Sequence, residues 1–213
     1  MTAPLTDWLR HPLASIVTGF ILTGVLGTAI TQHFLDQRAQ EALQAQLALD
    51  RKKAVQQFSK LNEARKVRAE VLLQALRSSN DDALKTAKQE YEKAYVAWSV
   101  ERQGMLLLFR DLLAPEDYQL VQARVQESLV EKIVKPIRRC LTASFGHRDD
   151  RAAAVRTLED CRVDELIERS GTCGMALAAA VSDLAAAHSE WASAGQTAET
   201  RKRAQDSIHK HCP

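Results

Sequence analysis

Hydrophobic and polar positions divide this 213-residue chain into one uncharged stretch and a long series of amphipathic repeats. Between His11 and Asp36 lie 24 positions without a single Asp, Glu, Lys or Arg. A helix needs about 20 apolar residues, at about 1.5 Å each, to cross the hydrocarbon core of a bilayer. The pattern therefore predicts a single-pass transmembrane helix over 13–35, after a short N-terminal tail at 1–12. A cleaved signal peptide is the first competing reading, with Gly27-Thr28-Ala29 as a small-x-small cleavage site. Against it, the preceding residues set only Arg10 against Asp7. A buried core helix, the second, seldom runs this long without charge.

Small residues recur at every fourth position of the run: Ser15, Gly19, Thr23, Gly27 and Thr31. Without bulky side chains two backbones approach closely, and dispersion and hydroxyl hydrogen bonds then hold the pair. The stripe predicts association with a second copy or with a partner's membrane helix. No charge lies on that face, which argues against a dedicated ion channel.

Beyond residue 35 everything reads as helix. Ala, Leu, Glu, Gln, Lys and Arg dominate, and no sustained polar–apolar alternation occurs. The first helix is expected to run on without a break to about Arg77. Over 36–57 it is a stalk with few large apolar residues (Leu43, Leu47, Leu49), and its apolar face thickens from Phe58 through Leu61, Val67, Val71, Leu72 and Leu76. Ser78 to Asp82 reads as a break and an acidic first turn. The second helix, about 81–113, carries a heptad stripe of Leu84, Tyr91, Trp98, Met105 and Leu112, with Ala87, Ala94, Glu101 and Leu108 in the second seam position. Glu101, a carboxylate in a seam, is expected to pair with Arg65 or Arg68.

Pro115 opens a third helix where its missing N–H does no harm. That helix carries Tyr118, Val121, Val125, Leu129, Ile133, Ile137, Leu141 and Phe145, and Pro136 inside the pattern predicts a kink near 132–135. After a break at 146–149 a fourth helix is expected from Asp150 to Arg169, ending at Ser170-Gly171. A fifth, from about Gly174 to Ala194, puts Leu177, Val181, Leu184, His188 and Trp191 on one face. Fold class is thus all-α. A transmembrane helix continues into a stalk and an antiparallel bundle of four to five helices over 58–195, followed by a polar basic tail at 196–213.

Charge and cysteines bear on location. Counted alone, the basic flanking residues (Arg10 before the span; Arg38, Arg51, Lys52 and Lys53 after it) put the C-terminal domain inside, but the last three lie at the far limit of the positive-inside rule, which leaves it close to a tie. The four cysteines, Cys140, Cys161, Cys173 and Cys212, all fall in the last third of the chain. Disulfides persist in oxidising compartments, which favours an exported C-terminal domain. Folding the third and fourth helices about residue 147 sets Cys140 opposite Ala154, seven residues or about 10 Å short of Cys161, beyond disulfide reach of about 7 Å. The expected pairs are therefore Cys161–Cys173, across a turn, and Cys140–Cys212.

Chemical signatures are scarce. There is no GxxxxGK[ST], GxGxxG, HExxH, paired CxxC or Glu-x-x-His. Gly171-Thr172-Cys173-Gly174 reads as a turn, and His209-Lys210-His211-Cys212 is too loose a set for a metal site. No cofactor, metal or enzymatic activity is expected. Net charge is +2 with acids and bases interleaved, so nucleic acid is not an expected partner. Lys135 with Arg138-Arg139, and Arg201-Lys202-Arg203, are local basic exceptions suited to lipid headgroups or an acidic partner. The expected function is protein–protein contact by a membrane-anchored bundle, as scaffold, adaptor or subunit of an envelope complex. The alternative is a sensory or ligand-binding bundle signalling through its stalk, with a cavity lined by Tyr91, Tyr95, Trp98 and Trp191.

Overall fold

One helix, α1 (Pro12–Arg77), covers the predicted span, the stalk and the first bundle helix without a break. The computed structural model describes residues 12–78, 80–187 and 194–212, without the side chains of 12–19, 21–30, 194 and 196. Every regular element among the described residues is helical. The chain divides into two compact units, Met1–Leu49 and Asp50–Pro213. In the first, residues 31–49 are exposed along their length, Leu43, Leu47 and Leu49 included. In the second, packing on α1 begins at Ala54 and Phe58.

α2 (Asp81–Leu112) starts where the sequence predicts, with the Asn80 side chain accepting from the Ala83 N–H. Its heptad stripe forms the core, with Leu84, Tyr91, Trp98 and Met105 all buried. The second seam position follows it only at first: Ala87 is buried and Ala94 half-buried, but Glu101 and Leu108 face solvent. Glu101 pairs with neither Arg65 nor Arg68. It accepts a hydrogen bond from Gln57 at 2.9 Å, while Arg68 lies 3.9 Å from Glu90. Position 101 has rotated off the interface, so the carboxylate stays in water.

α3 (Pro115–Arg124) has Pro115 at its first turn, as expected. It continues through a π-helical stretch (Val125–Val134) into α4 (Lys135–Gly146). This stretch stands where a kink was expected. Pro136 has no N–H, and its ring would crowd a carbonyl one turn back in an α-helix. Upstream the coil is wider, and the Lys135 N–H donates to Val130 five residues back. Val121, Val125, Leu129, Ile133, Ile137 and Leu141 are buried throughout, so the wider coil keeps the apolar face inward.

The C-terminal third departs further from expectation. α5 (Arg151–Asp160), capped by Asp150, ends at Cys161-Arg162, and α6 (Val163–Ala187) runs straight through Ser170–Gly174. The expected fourth and fifth helices were divided at the glycines. Yet no described glycine has positive φ, and the left-handed residue is Arg162 at φ 52°. α6 is also long and apolar enough to cross a membrane, but most of it is buried inside the bundle, as befits a core helix. The predicted span at 13–35 has a helical backbone from Pro12, and most of its side chains lie outside the described residues.

The cysteine pairs are Cys140–Cys161 and Cys173–Cys212, with Cα atoms 6.2 and 4.8 Å apart. Both expected pairs are therefore corrected. Folding about residue 147 would set Ser144 opposite Asp150, but Ser144 Oγ donates to the carbonyl of Ala154. The turn at His147–Asp150 thus shifts the register by four residues, which brings Cys161 within reach of Cys140. Cys173 lies inside α6 rather than in a turn, so it cannot fold back on Cys161.

The tail is a docked helix, α7 (Ala194–His211). It buries only Ala204, Ile208 and Cys212 among its described side chains. Two polar ties supplement this narrow seam. Arg201 forks onto Asp117 of α3 at 2.7 and 3.0 Å, and Arg124 lies 3.0 Å from His209 Nδ1.

So thin a seam leaves α7 dependent on its cross-link. Opening Cys173–Cys212, which spans 39 residues, should cost about 4 kcal/mol in the loop-entropy account. A C173S/C212S variant should become open to trypsin at Arg201–Arg203 while the rest of the bundle resists. C140S/C161S, spanning 21 residues, should cost about 3 kcal/mol and leave α7 protected. Equal protection of α7 in both variants would show that its side-chain contacts suffice.

Candidate functional site

Two charged side chains are buried among the described residues, Asp117, which Arg201 neutralises, and Arg65. Arg65, on α1, is completely buried, and burial lowers its pKa to about 10. Its guanidinium donates to Ser170 Oγ on α6 and, at 3.1 Å, to Asn62 Oδ1. Asn62 in turn donates to the Ser170 carbonyl at 3.2 Å. Nε and Nη1 of Arg65 find no hydrogen-bond partner among the described residues, nor does the buried Tyr91 hydroxyl. Trp98 supplies what compensation there is: Arg65 and Arg102 stand 5.1 and 5.2 Å from its ring centre.

The glycines of α6 leave the room that the Asn62 and Lys66 side chains of α1 occupy. A Cβ on Gly174 would lie 1.9 Å from Asn62 Nδ2, and one on Gly171 would lie 2.9 Å from Lys66 Cε. The Gly-x-x-Gly expected as a turn instead lies inside α6, with Asn62 and Lys66 of α1 against its two glycines. No carboxylate pairs with the arginine among the described residues.

Two exposed surfaces adjoin on α2. Along its outer face Val96, Val100 and Leu107 are 55%, 69% and 53% exposed, with Gly104 between them open to solvent. These positions point away from the core stripe of Tyr91, Trp98 and Met105. Beside this face, α2 and α4 border an open cleft of about 590 Å³ lined by Glu92, Tyr95, Lys135, Arg138, Arg139, Thr142 and Ala143. Arg138 lies 4.2 Å over the Tyr95 ring and 3.3 Å from Glu92. Lys88 donates to Glu92 at 2.5 Å and to Thr142 at 3.2 Å. Burial pushes the Glu92 carboxyl up, but Lys88 and Arg138 more than offset it and leave it below the ordinary range.

Of the residues singled out from sequence, the four cysteines come together in two pairs. Ser15, Gly19, Thr23 and Gly27 have side chains outside the described residues, and Thr31 is exposed. Tyr91 and Trp98 fill the core rather than lining a cavity, while Tyr95, half-buried beside them, lines the cleft between α2 and α4. Trp191 lies outside the described residues. At the C-terminus Cys212 is in a disulfide and His209 faces Arg124, so the tail holds no open ligand set. Sequence reasoning missed the burial of Arg65. Its signal was an i, i+7 register with Phe58 and Leu72, both core residues. Compared with models of known families, with curated proteins and with solved structures, the chain matches none.

Two substitutions separate the glycine contacts from the buried charge. Gly171→Ala needs only the tip of Lys66 to move and regains up to about 1 kcal/mol of helix propensity. Gly174→Ala meets an Asn62 held by its own hydrogen bonds, an overpacking that typically costs about 1–3 kcal/mol. Denaturant unfolding should therefore rank G171A above G174A. Arg65→Met removes a charge that has no acidic partner and keeps the volume, so stability should hold within about 1 kcal/mol or rise. A loss above about 3 kcal/mol would show that the stacking on Trp98 outweighs the burial of charge.

Proposed function

We propose that this chain is a membrane-anchored helical-bundle protein that acts through protein–protein contact, as a scaffold, adaptor or subunit of an envelope complex. The observation that carries this reading is the outer face of α2. Val96, Val100 and Leu107 expose apolar side chains on a helix whose opposite face already supplies the core. Valine on a solvated helix surface is a poor helix former and stabilises nothing by burial. Such a row is what a partner would cover. The sensory alternative draws less support, because Tyr91 and Trp98, two of the aromatic positions that would line its cavity, are occupied by core packing and by Arg65 and Arg102.

Membrane anchoring is supported by the 24 uncharged positions from Pro12 to Leu35, which begin the continuous helix α1. Export of the bundle is supported by its two disulfides. In this reading the Ser15–Thr31 stripe pairs membrane helices and the α2 face contacts the partner domain.

A photo-crosslinking side chain at position 100, in cells that normally make the protein, should yield a discrete adduct. V100E should abolish the corresponding co-purification without changing the far-ultraviolet circular dichroism. Undiminished co-purification in V100E would remove the α2 face from the interaction. A reporter active only outside the cytosol, fused after Pro213, should be active; an expressed but silent fusion would place the bundle in the cytosol.

A further inference from the structure

The open cleft between α2 and α4 gathers three cations of α4. Lys135, Arg138 and Arg139 occupy positions i, i+3 and i+4 of α4, where like charges on one helix face repel one another. All three line the same cleft. Lys135 is held by Glu131 at 2.7 Å and Arg138 by Glu92 at 3.3 Å, both pairs on the exposed side of the helices. Such solvated pairs add little to stability. Arg139 is exposed and makes no hydrogen bond or ion pair among the described residues. The guanidinium of Arg138 is oriented by the Tyr95 ring beneath it at 4.2 Å. A planar, stacked guanidinium next to a free one favours forked pairing with carboxylates.

We infer that this cleft docks an acidic segment of a partner polypeptide, its carboxylates pairing with Arg139, Arg138 and Lys135. The inference rests on the protein-contact reading above and names the partner's chemistry. Three features favour a peptide over other anions. The cleft is open, whereas small-molecule sites bury most of their ligand. Glu92 stands inside it and would repel a continuous polyanion, while a peptide can space its carboxylates to avoid that position. The cleft also shares α2 with the exposed Val96–Val100 row, so one segment can lay apolar side chains on that row and reach the cations with acidic ones.

The test uses the full chain in a non-ionic detergent and a fluorescent ten-residue peptide of alternating Glu and Leu, with its Gln counterpart as the neutral probe. Anisotropy should show saturable binding of the Glu peptide and at least tenfold weaker binding of the Gln peptide. Arg139→Gln, which breaks no contact within the chain, should weaken binding severalfold, and R138Q/R139Q more than tenfold. Arg203→Gln, an exposed cation on α7, should leave binding unchanged.

Equal losses in R203Q and R139Q would reduce the effect to net charge and overturn the cleft. So would full displacement of the peptide by millimolar inorganic phosphate, or binding of phosphatidylglycerol vesicles that R138Q/R139Q abolishes. A wild-type chain that ignores the peptide yet crosslinks through position 100 overturns the cleft alone. A chain that crosslinks to nothing overturns the contact reading from which the cleft follows.

Discussion

The packing of Asn62 and Arg65 of α1 onto Ser170 and Gly174 of α6 ties three helices of the bundle together. With no Cβ at Gly174, the Asn62 side chain lies over the α6 backbone, and it and Arg65 both reach Ser170. This packing joins α1 to α6, whose Val163, Ile167, Leu177, Val181 and Leu184 are all buried. It also closes Arg65 off from water. A buried guanidinium without an acidic partner is costly, and three compensations are visible: the Ser170 hydroxyl, the Asn62 carbonyl and the Trp98 ring. Each comes from a different place in the sequence. The arrangement is satisfied only when α1, α2 and α6 are all in register, which makes it a reporter of correct assembly.

Around that centre the covalent cross-links hold two helices that bury few large side chains of their own. Cys140–Cys161 closes the short α5 against α4, where α5 buries only Ala154 and Leu158. Cys173–Cys212 fixes α7, a polar helix with a narrow apolar seam, to the same α6 that Asn62 and Arg65 reach. The two bonds therefore add to the modest burial of α5 and α7.

Much of this was legible from periodicity. The length of α1, the start of α2 at Asn80 and the burial of Tyr91, Trp98 and Met105 all follow from spacing and capping rules that act locally. The failures share a cause: residues whose role depends on a partner distant in sequence. Gly171 and Gly174 look like terminators unless Asn62 and Lys66 are known to lie against them. Arg65 reads as a solvated cation until Ser170 is placed beside it. The disulfide pairing failed on a shift of four residues in one turn, because a level argument amplifies any error in where the chain reverses. The tail looked polar, and it is; its docking depends on Asp117 and Cys173, neither of which its own composition announces. For the proposed contact surfaces, the basic trio of α4 was visible in sequence, but its juxtaposition with Tyr95 and Glu92 was not.

The two exposed surfaces of α2 are best weighed together. Val96 and Val100 lower helix propensity and gain nothing from burial, while the cations across the cleft repel one another. Each departure is a few tenths of a kcal/mol and alone would mean little. What gives them weight is their position. They lie side by side on one helix, on a bundle whose other polar surface pairs acids with bases at helical spacing, as in Lys66–Glu70, Arg162–Glu165 and Arg203–Glu199. An apolar row and a cluster of like charges share one edge of α2, and departures of this kind are expected where function rather than stability sets the residue. An apolar row flanked by unbalanced cations asks for a segment that is apolar on one side and acidic on the other. That specification is narrow enough to recognise a partner when one is found.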